Sequence, residues 1–258
     1  MSVLAAKLIL TPSLIATATL AARRWGPVVG GLIAGMPLTS GPVSVFLAME
    51  RGATFAAASA QAALLGLIAV VSFCVAYAKT AHRARWPASC VAGFVVYFAA
   101  VLILRKVSVG IYTSMLLVCG IIVAAMSSTC TTHKNTDDRA EPSSWDLPFR
   151  MIAATGIVLL ITGIAERIGP TWSGLLSPFP VFASVMAVFS HRTAGPSAAI
   201  HVLRGVITGS LAFASFFVIV ALMLRNQSML ATYSAGAFAA LLISGMSLLR
   251  LFPANKRP

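Results

Sequence analysis

Three polar side chains in one apolar stretch have the types and the spacing to bind an anion. His201, Arg204 and Thr208 are separated by three and four residues, which places them on one face of a helix. The predicted helix covers 197–224, so Arg204 lies about seven residues, or roughly 10 Å, from its start. A guanidinium at that depth costs about 2.5 kcal/mol or more unless it faces the protein interior or a partner. The planar fork of Arg suits a carboxylate or a phosphate; the alternative is a structural Arg that reaches toward the membrane surface or caps backbone carbonyls.

Other polar residues extend this predicted anion site. The second half of the chain can be aligned with the first so that Gln61 takes the position of Arg204, which makes the predicted site asymmetric. His201 is a candidate for tuning Arg204 or relaying protons, and a structural histidine is the alternative. No Asp or Glu lies deep in an apolar stretch, because Glu50 and Glu166 both lie at the ends of such stretches. The sequence therefore disfavours a carboxylate-based proton or cation antiporter.

Proline and glycine predict that two membrane helices are interrupted. Pro37 and Pro42 lie five residues apart with Gly41 between them; proline removes a backbone donor and glycine weakens a helix. Pro178 and Pro180 lie at the corresponding place in the second half. In lipid, freed backbone groups are tolerated only where protein or a wet cavity satisfies them, and paired broken helices are typical of transporter sites. The alternative is that the glycines allow close packing and the prolines only bend the helices. The predicted substrate-binding residues of these segments are Thr39, Ser40 and Ser177, in addition to Gln61, His201, Arg204 and Thr208.

The composition indicates an integral membrane protein. The 258 residues are 59% hydrophobic and 10% charged, with a mean hydropathy of +0.92, whereas soluble domains are about half apolar and about a quarter charged. The net charge of +13 would suit nucleic acid in a soluble protein, but in a chain this apolar it is typical of cytoplasmic loops between spans. We therefore expect an all-α polytopic membrane protein.

The apolar stretches predict nine transmembrane spans, because a bilayer core of about 30 Å needs roughly 20 apolar residues per helix. The spans lie near 3–22, 27–49, 53–77, 87–104, 107–128, 150–165, 170–190, 197–224 and 229–251. With Met1 outside and Pro258 inside, twelve Lys and Arg lie on the cytoplasmic side and five on the other. The positive-inside rule favours this orientation. The predicted location is the bacterial inner membrane.

Shifting the chain against itself by 143 residues places Gln61 on Arg204 and predicts an internal duplication. This alignment of the two halves is called the self-alignment below. Ten of the 41 positions from Gly26 to Gly66 are identical to their counterparts, without a gap. Five predicted spans precede the second copy, an odd number, so the copies would enter the membrane from opposite sides as inverted repeats. The predicted organisation is a first repeat of four spans over 1–106, an extra span over 107–128, a cytoplasmic linker over 129–149 and a second repeat over 150–258, with broken helices in spans 2 and 7.

One motif resembles a known family. The sequence Ser-Gly-Leu-Leu-Ser-Pro-Phe-Pro over 173–180, followed by small and apolar residues to Gly195, resembles the GlpM-like family of small bacterial membrane proteins. Those proteins are about one repeat long, with a Gly-Leu-x-Pro-x-Phe-Pro core in their second span. The resemblance covers about 60 residues of each half and implies a fused, inverted pair of such units. The first half departs from the pattern, with Met36-Pro37 in place of Phe-Pro and an added Ser-Gly-Pro over 40–42. The resemblance implies a fold and almost no chemistry.

These features predict a transporter or flippase for a small organic anion or an anionic lipid headgroup, with a midplane site at the interface between the repeats. A non-transporting membrane scaffold, accessory to an envelope or transport system, is the alternative. Cys74, Cys90, Cys119 and Cys130 show no CxxC or Cys/His spacing, and no nucleotide-binding loop or Ser/His/Asp set occurs in the sequence. We therefore expect no enzymatic activity, metal, cofactor or nucleic-acid partner. The expected partners are the lipid bilayer and the anionic substrate or lipid, and the sequence leaves a homo-oligomer open.

Overall fold

A computed structural model of the chain describes residues 3–38, 40–107, 109–129, 146–165, 172 and 175–251. These residues form helices joined by turns, with no strand among them. In chain order the helices are α1 (Val3–Trp25), α2 (Pro27–Ala34), α3 (Ser40–Arg51), α4 (Ala53–Ala81), α5 (Trp86–Leu104), α6 (Ile111–Ser128), α7 (Asp146–Ala165), α8 (Val181–Met223) and α9 (Met229–Leu251).

Within the described part of the chain, five helices are long and apolar enough to cross a membrane. They are α4, α5, α6, α8 and Met229–Leu249 of α9. The described part of the chain is therefore all-helical, with the long apolar helices of a membrane protein, as predicted. The prediction of nine spans is not confirmed, because several predicted spans do not correspond to single long helices.

Predicted span 2, over 27–49, is two short helices. α2 has 8 residues and α3 has 12, which give lengths of about 12 Å and 18 Å at 1.5 Å per residue. Neither length crosses a hydrocarbon core of about 30 Å. The interruption lies over the described residues 35–38, earlier than predicted, because Gly41 and Pro42 belong to the first turn of α3. Proline is tolerated there, since the first amides of a helix have no partner within it.

Predicted spans 7 and 8 meet within one element, α8, at a glycine. Gly195 has φ 82° and ψ 179° and divides α8 into α8a (181–194) and α8b (196–223). Gly52, between α3 and α4, has nearly the same conformation, with φ 86° and ψ 163°. Only glycine adopts this region readily. The two glycines correspond to each other in the self-alignment of the chain, so the same backbone turn precedes both long helices.

α4 and α8 form the centre of the bundle. They pack on each other, and α6 contacts both of them. α5 packs on α4 and α9 packs on α8, while α2 lies between α1 and α8. In the most apolar window of α4, 72% of the residues are buried, against 22% for α5, α6 and α9. The two central helices therefore determine where the interrupted segments meet.

Candidate functional site

The two interrupted segments contact each other in the middle of the bundle. One covers the described residues of 35–39, between α2 and α3, and the other covers 177–180, just before α8. The hydroxyl of Ser40 donates a hydrogen bond of 3.1 Å to the carbonyl oxygen of Ser177. Ser40 is only 5% exposed, so this bond satisfies a backbone carbonyl that the interruption removes from a helix. Thr39 lies outside the described residues.

The same backbone hydrogen bonds recur at both interruptions. At each interruption, one backbone amide donates to the carbonyl three residues earlier, and a second amide donates to the carbonyl two residues earlier, which closes a tight turn. The carbonyl of a proline accepts a third hydrogen bond from the amide four residues later. In the first segment the pairs are Met36 N to Ile33 O (3.1 Å), Leu38 N to Met36 O (2.8 Å) and Gly41 N to Pro37 O (2.8 Å). In the second they are Phe179 N to Leu176 O (2.9 Å), Val181 N to Phe179 O (2.7 Å) and Ser184 N to Pro180 O (2.8 Å). Every atom of the first set has its counterpart in the second, in the same self-alignment that predicts the duplication.

Two glycines let each half of the chain approach the other closely. A Cβ on Gly66 of α4 would lie 2.5 Å from the carbonyl oxygen of Leu175, and a Cβ on Gly209 of α8b would collide with the carbonyl of Leu32. In the self-alignment Gly66 corresponds to Gly209, and Leu32 corresponds to Leu175. The segment before each interruption therefore packs against the long helix that follows the other interruption.

A small cavity lies beside the contact between the two interruptions. Its volume is about 40 Å³, which is enough for water but far below the 300–1,000 Å³ typical of ligand sites. The polar side chains that line it are Ser40 and Ser210, and prolines from the second interruption, Pro178 and Pro180, form part of its wall. An organic anion would fit here only after the two segments move apart.

The predicted anion-binding side chains lie elsewhere on the central helices. Arg204 and Gln61 are not among the residues that line the small cavity. Gln61 Nε2 donates a 2.7 Å hydrogen bond to the carbonyl of Val109, just before α6. Thr208 Oγ1 donates to the carbonyl of Arg204 at 3.0 Å and lies 3.8 Å from the sulfur of Met126, near the end of α6. The predicted site thus divides into Ser40 and Ser177 at the interruptions and Gln61, His201, Arg204 and Thr208 on α4 and α8b.

Sequence reasoning missed an apolar groove between α3 and α9. The groove has a volume of about 520 Å³. At one end, the Tyr233 hydroxyl donates to the carbonyl of Ser44 at 2.8 Å and lies 2.9 Å from the Ser44 hydroxyl. No sequence signal could identify this groove, because it is defined by small and apolar residues that look like ordinary membrane-helix composition.

Arg150, near the start of α7, was not among the predicted site residues, and its side chain is only 5% exposed. Its guanidinium lies 5.0 Å from the ring centroid of Phe189 on α8a, an arrangement that stabilises a buried cation.

Among the described residues, no group of three or more His, Cys, Asp or Glu side chains could hold a metal ion. Comparison with protein-family models, with curated proteins and with solved structures finds nothing that matches this chain. The resemblance to GlpM-like proteins therefore stays a prediction.

Proposed function

We propose that the chain is a membrane carrier, a transporter or flippase for a small organic anion or an anionic lipid headgroup. Its passage lies where the two interrupted segments meet. The observation that carries the proposal is the hydrogen bond from Ser40 to the carbonyl of Ser177. It joins two interrupted helices at the centre of the bundle, the arrangement typical of transporter sites. In this proposal the structure is the closed state, and substrate enters when the bond opens.

The carrier in this proposal consists of two inverted copies related by a pseudo-two-fold axis in the membrane plane. Three observations support this: the recurring hydrogen bonds at the interruptions, the matching conformations of Gly52 and Gly195, and the reciprocal approaches of Gly66 and Gly209. Reciprocal contacts between equivalent residues are what a two-fold relation produces. Rocking of one copy against the other would then open the passage alternately to each side.

Arg204 has the role of an anion attractor in this proposal. It lies on α8b, the helix that packs on α2 and leads to Ser210 at the small cavity. Its guanidinium would attract a carboxylate or phosphate toward the opening segments. The orientation, with Met1 outside and Pro258 in the cytoplasm, and the location in a bacterial inner membrane are part of the same proposal.

A reversible cross-link between the two interruptions tests the passage. Ser40→Cys and Ser177→Cys are introduced after Cys74, Cys90, Cys119 and Cys130 are replaced by alanine. The protein is then reconstituted in liposomes, with uptake of labelled succinate and phosphate and movement of fluorescent phosphatidylglycerol as readouts. A short bifunctional thiol reagent should stop transport, and dithiothreitol should restore it.

The two single-cysteine variants are the matched controls and should keep transporting after the reagent is added. Unchanged transport by the cross-linked protein would place the passage elsewhere. If the untreated protein transports none of the probes, the non-transporting scaffold is favoured. A scaffold needs no passage, so a closed contact beside a cavity of only about 40 Å³ is compatible with that role.

A further inference from the structure

The groove between α3 and α9 is large, apolar and open at the surface of the bundle. Its volume of about 520 Å³ falls within the range of ligand sites. One wall comes from the first interruption and α3, and the other comes from α8b and α9. The rim residue Leu241 is 63% exposed. The lining residues on which the argument depends are Met36, Pro42, Phe216, Ala237, Ala240 and Leu241.

The corresponding place in the other half is filled with aromatic rings. In the self-alignment, Ala237, Ala240 and Leu241 correspond to Phe94, Tyr97 and Phe98 of α5, and Met36 corresponds to Phe179. The ring of Phe179 lies 5.6 Å from Phe94, 5.2 Å from Tyr97 and 6.2 Å from Phe98, measured between centroids. The groove is therefore open because residues without aromatic rings, two of them alanines, take the place of this cluster. This comparison rests on the proposed repeat, but the groove itself does not.

α3 and α9 run antiparallel along the groove. Ser44 bonds to Tyr233, while a Cβ added to Gly41 or to Gly236 would lie 3.4 Å or 3.0 Å from the ring of Phe216, so both glycines face this ring. From the ring of Phe216 to the Ser44–Tyr233 bond, the residue number rises from 41 to 44 on α3 and falls from 236 to 233 on α9.

The same antiparallel direction brings cations toward one end of the groove. α3 ends at Arg51, seven residues after Ser44, and Arg225 lies in the turn before α9, eight residues before Tyr233. Both residues are exposed. The groove is therefore apolar along its length, with two cations at the end beyond Ser44 and Tyr233.

We infer that this groove binds the acyl chain of an anionic phospholipid, whose headgroup lies near Arg51 and Arg225. α9 is among the helices that can cross a membrane, so the groove opens at the depth of the lipid tails. An apolar chain matches its lining, and basic residues at the membrane surface attract anionic headgroups. A transmembrane helix about 10 Å wide is a poorer occupant, because the Ser44–Tyr233 bond holds α3 against α9.

The test places an aromatic ring in the groove, as Phe94 does at the corresponding place in the other half. Ala237 is exposed, so Ala237→Phe adds a ring without displacing a buried side chain. Ala231→Phe is the matched control, because Ala231 is also exposed on α9 and is not among the groove residues. Purified protein is mixed with equal amounts of dioleoyl phosphatidylglycerol and dioleoyl phosphatidylcholine. Retained lipid is then counted by native mass spectrometry.

Wild type and Ala231→Phe should each retain one lipid, predominantly phosphatidylglycerol. Ala237→Phe should retain at least tenfold less. Replacing both Arg51 and Arg225 by glutamine should remove the preference for phosphatidylglycerol while lipid binding continues. Equal retention by Ala237→Phe and wild type, or a second copy of the chain as the retained species, would overturn the inference.

The lipid inference and the proposed carrier fail separately. Lipid retention is a binding measurement that needs no transport, and the protein cross-linked through Ser40→Cys and Ser177→Cys should retain its lipid. If the protein binds lipid in the groove but transports nothing, only the proposed function is wrong. If the protein transports but the Ala237→Phe variant still retains lipid, only the lipid inference is wrong.

Discussion

Two polar side chains of the predicted anion site, one on α4 and one on α8b, donate hydrogen bonds to backbone carbonyls. Gln61 donates to the carbonyl of Val109 at 2.7 Å, and Thr208 donates to the carbonyl of Arg204 at 3.0 Å. Each such bond contributes about 0.5–1.5 kcal/mol to stability. The bond from Thr208 uses the backbone of Arg204, so the guanidinium can be changed without removing it.

Arg204 variants separate an anion-binding role from a structural one. Arg204→Lys keeps the charge but loses the planar fork, so transport of the succinate or phosphate probe should fall at least tenfold, equivalent to about 1.4 kcal/mol. Arg204→Ala should abolish uptake while the protein still inserts and elutes as a single species in detergent. Normal uptake by Arg204→Ala, with only a lower yield of protein, would show that the residue is structural.

A single methyl group at Gly66 should destabilise the contact between the halves. The added Cβ of Gly66→Ala would meet the backbone oxygen of Leu175 at 2.5 Å, and backbone cannot rotate away as a side chain can. Overpacking of this kind costs about 1–3 kcal/mol, so the thermal unfolding midpoint in detergent should fall clearly. Gly120→Ala is the control, because nothing lies within 4 Å of its added Cβ. A similar midpoint for both variants would contradict the close approach.

At the scale of elements, local chemistry determines where helices stop. The interruptions near Pro37 and Pro180 were predictable, because proline removes a donor wherever it lies. Pro42 was placed incorrectly, since a proline in a first turn looks the same in sequence as one that ends a helix. Helical periodicity grouped His201, Arg204 and Thr208 on one face. Periodicity alone could not show which neighbouring helix that face contacts. The prediction that these residues lie beside the interruptions therefore had no basis in the spacing.

The glycines that precede α4 and α8b should be equally intolerant of a side chain. Gly52 and Gly195 have φ 86° and 82°, and nothing lies within 4 Å of a Cβ on either. The cost of alanine is therefore conformational, about 1–3 kcal/mol at each site. Gly52→Ala and Gly195→Ala should lower the unfolding midpoint in detergent by similar amounts, and the double variant by about their sum. Gly245→Ala, with open space and no positive φ, is the control; a loss of stability confined to one of the two sites would contradict an equal backbone role.

At the scale of the whole molecule, contacts between residues far apart in the chain could not be predicted from the sequence. The residues of the Ser40–Ser177 bond are 137 apart in the chain, and no local rule pairs a serine with a distant carbonyl. The groove at Ala237 and Ala240 was equally hidden, because it depends on what is missing relative to Phe94 and Tyr97. The duplication stays a prediction from the sequence, drawn from identical prolines and glycines at one offset.

Matched thiol labelling tests whether the two halves are inverted. Arg51 and Ala194 are both exposed, and each immediately precedes one of the glycines Gly52 and Gly195. An odd number of crossings before the second copy would put these two positions on opposite sides of the membrane, and the positive-inside rule puts Arg51 outside.

In a background without the native cysteines, Arg51→Cys should react with a membrane-impermeant maleimide in intact cells. Ala194→Cys should react only after the cells are made permeable. Since the flanking turns share one backbone conformation, a difference in labelling would report the side of the membrane rather than local burial. Labelling of both positions from the same side would rule out the inverted arrangement, and with it the pseudo-two-fold axis in the membrane plane that the proposed carrier needs.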